Sequence, residues 1–342
     1  MRKIAIEKQD ALFNEIKKVA KLYIPVDGAN GSVNFKEYSD GLVMSNALKT
    51  DRSPKDFFFP QTEDLMSFKT DGKKIEIIDD RKESEDFVIF GVRGCDVKSF
   101  EVLDRVFLVE PIDTFYKNKR EHGIIVSMAC NRPSETCFCQ TFDIDASNPC
   151  GDITCYKTDK YLYLEAKTQK GSDLLAKLDS VTENANDEEV SATKKEIKSV
   201  LAKLPLAELK ADAFGKDKTS EFFNAPEWKT LSEACLGCGT CTFVCPTCQC
   251  YDIKDFKTKD GVKRFRCWDS CMYSEFTKMS AGQPRLTQLE RFRQRFMHKL
   301  VYYPTNNDGL FSCVGCGRCI SKCPISMNIV KVMKTLGGKK NV

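Results

Sequence analysis

Histidine is nearly missing from this chain: 2 in 342 residues, alongside only 2 tryptophans. With His122 and His298 as the whole imidazole supply and no recognisable nucleophile arrangement, acid–base or acyl-transfer catalysis is poorly equipped, though Asp and Glu remain. No GxGxxG follows a strand-like run and no GxxxxGK[ST] occurs, so nothing supports a resident dinucleotide or a nucleotide-driven motor. No apolar run reaches the length of about eighteen residues that a membrane span needs. The opening MRKIAIEKQD breaks its apolar positions with charge before a signal-peptide core can form. The expectation is a cytoplasmic protein without membrane contact.

Cysteine is abundant: 18 residues. That is too dense for an ordinary soluble enzyme and too dilute for a disulfide miniprotein. In a reducing compartment such clusters hold metal more often than they bond to one another. The formal charge of +4 treats every thiol as neutral. A cubane held by four thiolates carries roughly −2, so two bring the chain near zero and a third makes it slightly acidic. Nucleic-acid binding therefore has no support in the charge.

Along the chain, Leu12, Ile16 and Val19–Ala20 recur at helical spacing, and strand-like runs follow at Tyr23–Val26 and Ile75–Ile78. Phe87–Val92, a helical pattern through Val97, Phe100, Leu103 and Val106, then Ile124–Met128 read as strand, helix, strand. A connection of that length favours parallel strands with a right-handed crossover. Cys95 and Cys130 then fall just past the carboxyl ends of two strands, the edge where α/β sheets bind ligands. The expected fold is α+β and multidomain. It comprises an N-terminal α/β domain with a parallel βαβ unit (1–167), a charged, partly helical connector (168–220) and a helical, ferredoxin-like dicluster domain (221–342).

CLGCGTCTFVCP supplies Cys235, Cys238, Cys241 and Cys245, and CVGCGRCISKCP supplies Cys313, Cys316, Cys319 and Cys323. Cysteines at intervals of three wrap a loop around one cube, and in two-cluster ferredoxins the fourth cysteine of each motif ligates the other cube. One cluster is expected on Cys235, Cys238, Cys241 and Cys323, the other on Cys313, Cys316, Cys319 and Cys245. Gly237, Gly239, Gly315 and Gly317 permit close backbone approach to cluster sulfurs. A zinc ribbon has no use for the third cysteine of each run. Cys241, Cys245 and Cys248 also spell the CxxxCxxC of radical chemistry on S-adenosylmethionine, but inside a longer motif. The long interval Pro246–Ser312, with helix-like sequence, favours a helical dicluster domain.

Two further sets remain. Cys95, Cys130, Cys137 and Cys139 read as a third iron–sulfur site, with Cys95 at a helix start whose dipole lowers thiol pKa. The alternatives are buried cysteines or an isolated reactive thiol at Cys95. Cys248, Cys250, Cys267 and Cys271 form a candidate fourth site, with His298 as a candidate ligand, or simply pack beside the second domain. Cys150 and Cys155 read as loop thiols or spare ligands. Residues 254–299 carry twelve Lys/Arg against five Asp/Glu. That is either a dock for an acidic carrier or partner protein, or a solvated helix face and counter-charge for clusters around Arg291, Arg293 and Arg295.

Together GVRGCDVKSFEVLDRVFL, ACNRPSETCFC, CLGCGTCTFVCPTCQC, RCWDSCMYSEF and CVGCGRCISKCP resemble the family of iron–sulfur subunits found in anaerobic sulfite reductase and, as the beta subunit, in sulfhydrogenase. The resemblance covers most of the chain apart from the connector. It implies an iron–sulfur subunit passing electrons between a flavoprotein that handles NAD(P)H, or ferredoxin, and a separate catalytic redox subunit. Sulfite reductase, sulfhydrogenase and flavin transhydrogenase complexes all fit this scheme. Cys95, Cys130, Cys137 and Cys139 match the family's pattern, as do Cys248, Cys250 and Cys271. Cys267 does not, and RGCD stands where members often read RPCD. The alternative function is a self-contained oxidoreductase binding substrate at Cys95 or at the CQC/CWDSC region.

Overall fold

The computed structural model describes residues 1–47 and 49–338; the last four residues of the segment expected to run 221–342 lie outside the described residues. Its strands are β1 (Arg2–Ala5), β2 (Lys21–Asp27), β3 (Val33–Glu37), β4 (Thr62–Asp71), β5 (Lys74–Asp79) and β6 (Phe87–Arg93). They continue with β7 (Gly123–Met128), β8 (Ile153–Lys157), β9 (Tyr161–Ala166), β10 (Glu183–Asn184), β11 (Tyr251–Thr258) and β12 (Gly261–Trp268).

An eight-stranded mixed sheet runs β10-β1-β9-β8-β7-β6-β2-β3. Its middle is parallel: β2 with β6, β6 with β7, and β7 with β8. All seven residues of FVIFGVR in β6 are buried. Val88 and Phe90 pack with Leu12, Phe13 and Ile16 of the helix Gln9–Lys17 on one face, while Ile89 and Val92 meet Phe100, Leu103 and Phe107 of the helix Gly94–Phe107 on the other. A strand covered on both faces has no reason to alternate, which explains the continuous apolar run. The crossover from β6 to β7 uses two helices; the second, Thr114–His122, starts where the Asp113 carboxylate accepts from Tyr116 N.

The segment 168–220 lies on the body of the protein. In its helix Glu188–Ala202 the buried Val190, Ile197 and Leu201 share a core with Phe142 and Tyr156 of the N-terminal half and with Trp228, Phe296 and Val332 of the C-terminal half.

The interval between the two cysteine motifs, expected to be helical, also contains a β-hairpin. YDIKDFKT and GVKRFRCW alternate across a Lys259–Asp260 turn and pair from Tyr251↔Trp268 to Thr258↔Gly261. This hairpin joins β4 and β5 in a four-stranded antiparallel sheet ordered β11-β12-β4-β5. Arg266 of β12 is buried between Glu63 and Asp113, and Trp268 stacks on Phe59 at 6.0 Å between ring centroids. The two halves of the chain therefore share a sheet as well as a core. The helix Gln288–Met297 begins in a Thr287/Glu290 capping box and continues through His298–Tyr302, as its helical spacing predicts.

Candidate iron–sulfur centres

The two CxxCxxCxxxCP motifs fold alike. Gly237 and Gly315 have φ of 65° and 60°, and Gly239 and Gly317 of 72° and 74°, so each loop turns through the left-handed region twice. Each then enters one helical turn, Thr240–Phe243 and Arg318–Ser321, and these two turns pack on each other.

Cys245, the last cysteine of the first motif, lies within electrostatic reach of all three leading cysteines of the second. Burial, then neighbouring charges that include Cys245, pushes the thiols of Cys313, Cys316 and Cys319 up, that of Cys313 to about 12. Cys241 lies near Cys235 and Cys245. Cys235 Sγ accepts from Gln288 Nε2 at 3.3 Å, and the Cys238 thiol, held at the surface, is lowered by its hydrogen bond with the Thr240 hydroxyl. Cys323 packs against the same core as Cys235 and Cys241.

The N-terminal four also converge. Cys139 is pushed up to about 12 by burial and then by the charges of Cys130, Cys137 and Cys316, and Cys95 lies in reach of Cys139 and Cys316. Arg93 Nη1 donates to Cys130 Sγ at 3.0 Å in a buried contact. Cys95 does sit in the first turn of its helix, but burial, followed by the adjacent Asp96, drives its thiol well up. Desolvation of the thiolate thus opposes the lowering expected from the helix dipole.

This set lies directly against the second cluster loop. Phe138 N donates to Gly315 O at 2.8 Å. A Cβ on Gly315 would stand 2.4 Å from Phe138 O, and one on Gly317 2.3 Å from Thr136 O. The first loop is covered by side chains and not by backbone: Gly237 faces Gln288, Gly239 faces the Tyr273 ring, and Leu236 and Cys238 are exposed.

The fourth set divides. Cys250 and Cys271 share a hydrogen bond that lowers the first thiol and raises the second, and Cys248 is hydrogen-bonded to Cys245 and near Cys271. Cys267 sits on β12, opposite Asp252 and Thr62, with Lys254, Asp252 and Asp269 as its charged neighbours. The other three thiols are not among those charged neighbours, although the same strand pairing sets Trp268 opposite Tyr251 and Asp269 N on Cys250 O at 2.9 Å. His298 is brought down to about 4 by burial and the charges of Lys299 and Arg295, and its ring packs edge-on to Tyr303. Cys155 is no loop thiol; it is a buried core residue of β8, whereas Cys150 is exposed.

Three buried cations surround Cys245 and Cys248, a cluster invisible to spacing because Lys55 comes from the other end of the chain. Lys55 Nζ donates to Cys248 O at 2.8 Å and sits 3.5 Å from the Trp268 ring centroid. Arg295 Nη2 donates to Cys241 O at 2.7 Å, with Nη1 3.5 Å from Cys248 Sγ. Lys299 Nζ donates to Thr247 Oγ1 at 2.8 Å, and that hydroxyl is 3.2 Å from Cys245 Sγ. Arg295 Nε and Ser312 Oγ are buried without a partner among the described residues. Unmet donors beside a ring of thiols fit an anionic, sulfide-bearing group.

Among the described residues no three His, Cys, Asp or Glu side chains are grouped so that they could hold a single metal ion, and no helix is long and apolar enough to cross a membrane. Much of the basic run 254–299 is spent internally. Arg264 pairs with Asp255, Lys263 with Asp64 and Lys278 with Glu275, while Arg293 lies on the Phe223 ring.

Residues 234–327 match the family model of the 4Fe-4S dicluster domain. The chain is 31% identical over 332 residues to the sulfhydrogenase 2 subunit beta of Pyrococcus furiosus, covering 94% of this chain and 93% of that one. No solved structure matches.

Proposed function

The chain belongs to the sulfhydrogenase beta-subunit family, and from that premise we propose that it is the electron-relay subunit of a multisubunit redox complex, turning over no substrate by itself. Its dicluster domain supports two [4Fe-4S] clusters, groups that exchange single electrons at potentials set by their surroundings. In this reading Cys235, Cys238, Cys241 and Cys323 hold one, and Cys313, Cys316, Cys319 and Cys245 the other. Cys95, Cys130, Cys137 and Cys139 hold a third. Domains 1–167 and 221–342 contribute one end of the path each, with 168–220 as the helical link.

One observation carries the reading: the thiol sets are contiguous. Cys241 neighbours Cys245, Cys245 neighbours the second loop, and Cys316 of that loop neighbours Cys95 and Cys139. The path starts at an exposed cysteine and ends among buried and half-buried ones beside the parallel middle of the mixed sheet. The protein buries or half-buries most of these thiols, supplies donors such as Gln288 Nε2 and Arg93 Nη1 to ligand sulfurs, and holds them in close sequence. The terminal partners are a flavoprotein subunit binding NAD(P)H, or a soluble ferredoxin, on one side and a catalytic subunit on the other, in a cytoplasmic, anaerobic setting.

The test is anaerobic purification of the full chain with iron analysis and dithionite reduction. About twelve irons per chain, reversible reduction and no turnover without partners are expected; about eight would remove the third cluster. Substrate turnover by the isolated chain would overturn the relay reading.

A further inference from the structure

The three buried cations around Cys245 set this part of the relay apart from the rest. Lys55, Arg295 and Lys299 are 1%, 2% and 3% exposed. Among the described residues the hydrogen bonds of their charged groups go to carbonyl, hydroxyl and thiol atoms, and the carboxylate near Lys55, Asp56, is itself paired with Arg52. Buried charge without a full counter-charge is costly, so three cations in one pocket whose nearby carboxylate is already shared with Arg52 point to an anion that balances them. The first loop shares Arg295 through Cys241 O, but its other donor, Gln288, is neutral, its Cys238 is solvent-exposed, and neither lysine bonds to it. The N-terminal set has one buried cation on a thiol, Arg93 Nη1 at 3.0 Å from Cys130 Sγ, while Arg318 close by is spent on Asp96.

We propose that Lys55, Arg295 and Lys299 make the centre bound through Cys245 the highest-potential iron–sulfur group of the chain, the position where a transferred electron comes to rest. Reduction adds one negative charge to a group that is already anionic. Burial alone disfavours that step, and fixed cations in the same low-dielectric pocket reverse its sign. Lys55 acts here as a positioning residue. It is delivered by the short helix Pro54–Phe57 of the N-terminal half, clamped between Cys248 O and the Trp268 ring, and brings a charge that the dicluster motifs themselves do not encode.

The inference rests on the ligand reading above, and the experiment separates the two. In the iron-loaded full chain, a mediator titration followed by EPR should show the most positive wave moving to more negative potential in both Lys55→Met and Lys299→Met, with iron content and the other waves unchanged. Lys55→Arg keeps the charge and should leave that wave in place, as should Lys198→Met on an exposed helix face. A purely packing role for Lys55 lowers iron content or thermal stability without moving the wave. If Lys55→Met fails to load iron, Lys299→Met decides. The proposal is overturned if the loaded Met variants keep the wild-type wave, or if the wave that moves survives in Cys245→Ser. Failure of the ligand reading shows separately, as a Cys245→Ser protein with its full iron content.

Discussion

Arg318 and Asp96 face each other through a bidentate ion pair, with N–O distances of 2.6 and 2.8 Å and both side chains 1% exposed. Arg318 lies inside the second cluster loop, and Asp96 follows Cys95. One salt bridge therefore locks the dicluster domain to the N-terminal cysteine set, assisted by Arg318 Nε donating to Thr50 O at 2.7 Å.

Breaking that lock from one side strands a charge in the interior. Asp96→Ala should cost about 3–5 kcal/mol in chemical unfolding, while the apolar double variant Asp96→Leu/Arg318→Met recovers most of it. A single variant within roughly 1 kcal/mol of wild type, the effect of a surface change, would mean that the pair contributes little.

Gly315 and Gly237 occupy equivalent turns with nearly the same φ, so alanine at either carries a similar left-handed strain of about 1–2 kcal/mol. Only at Gly315 does the new Cβ meet backbone, 2.4 Å from Phe138 O; at Gly237 it meets a flexible glutamine 3.0 Å away. Gly315→Ala should therefore displace the Thr136–Cys139 loop and lose iron from the N-terminal set, with Gly237→Ala retaining it. Equal iron loss in the two variants would show that local strain, not the packing of the two loops, governs this site.

Cys245→Ser should remove about four irons and abolish the spectral signature assigned to the second motif, leaving that of Cys235, Cys238 and Cys241 in place. The reverse pattern, loss of the nearer cube alone, would refute interleaving.

Cys267→Ser should leave the iron content unchanged and stability within about 0.5 kcal/mol, since the residue is paired within a hairpin and its charged neighbours are Lys254, Asp252 and Asp269, not thiols. Cys271→Ser, which removes the partner of Cys250, should be the more damaging substitution in refolding and iron-loading assays.

The loop conformations of the dicluster motifs and the β6–helix–β7 unit were legible in the chain because their determinants are local. Cysteines at intervals of three, glycines with positive φ and an unbroken apolar strand act within about a dozen residues, where covalent geometry restricts the options. The hairpin carried a local signal too, alternation on either side of Lys259–Asp260, which the weight of helix-like sequence around it obscured. Its pairing with β4 had none.

What packing decided lies at long range. Lys55 reaches Cys248 across 193 residues and Arg318 reaches Asp96 across 222, with no periodicity connecting either pair. Whether the arginines of 254–299 faced solvent, carboxylates or thiols depended on burial, which composition does not report. The residue order by itself determined which thiols could wrap an iron–sulfur group; the tertiary structure decided which wrapped loops abut and which cations share their pocket. The reason is that desolvation and charge pairing depend on distance through space, which the chain sets only once its two halves have closed around a common core.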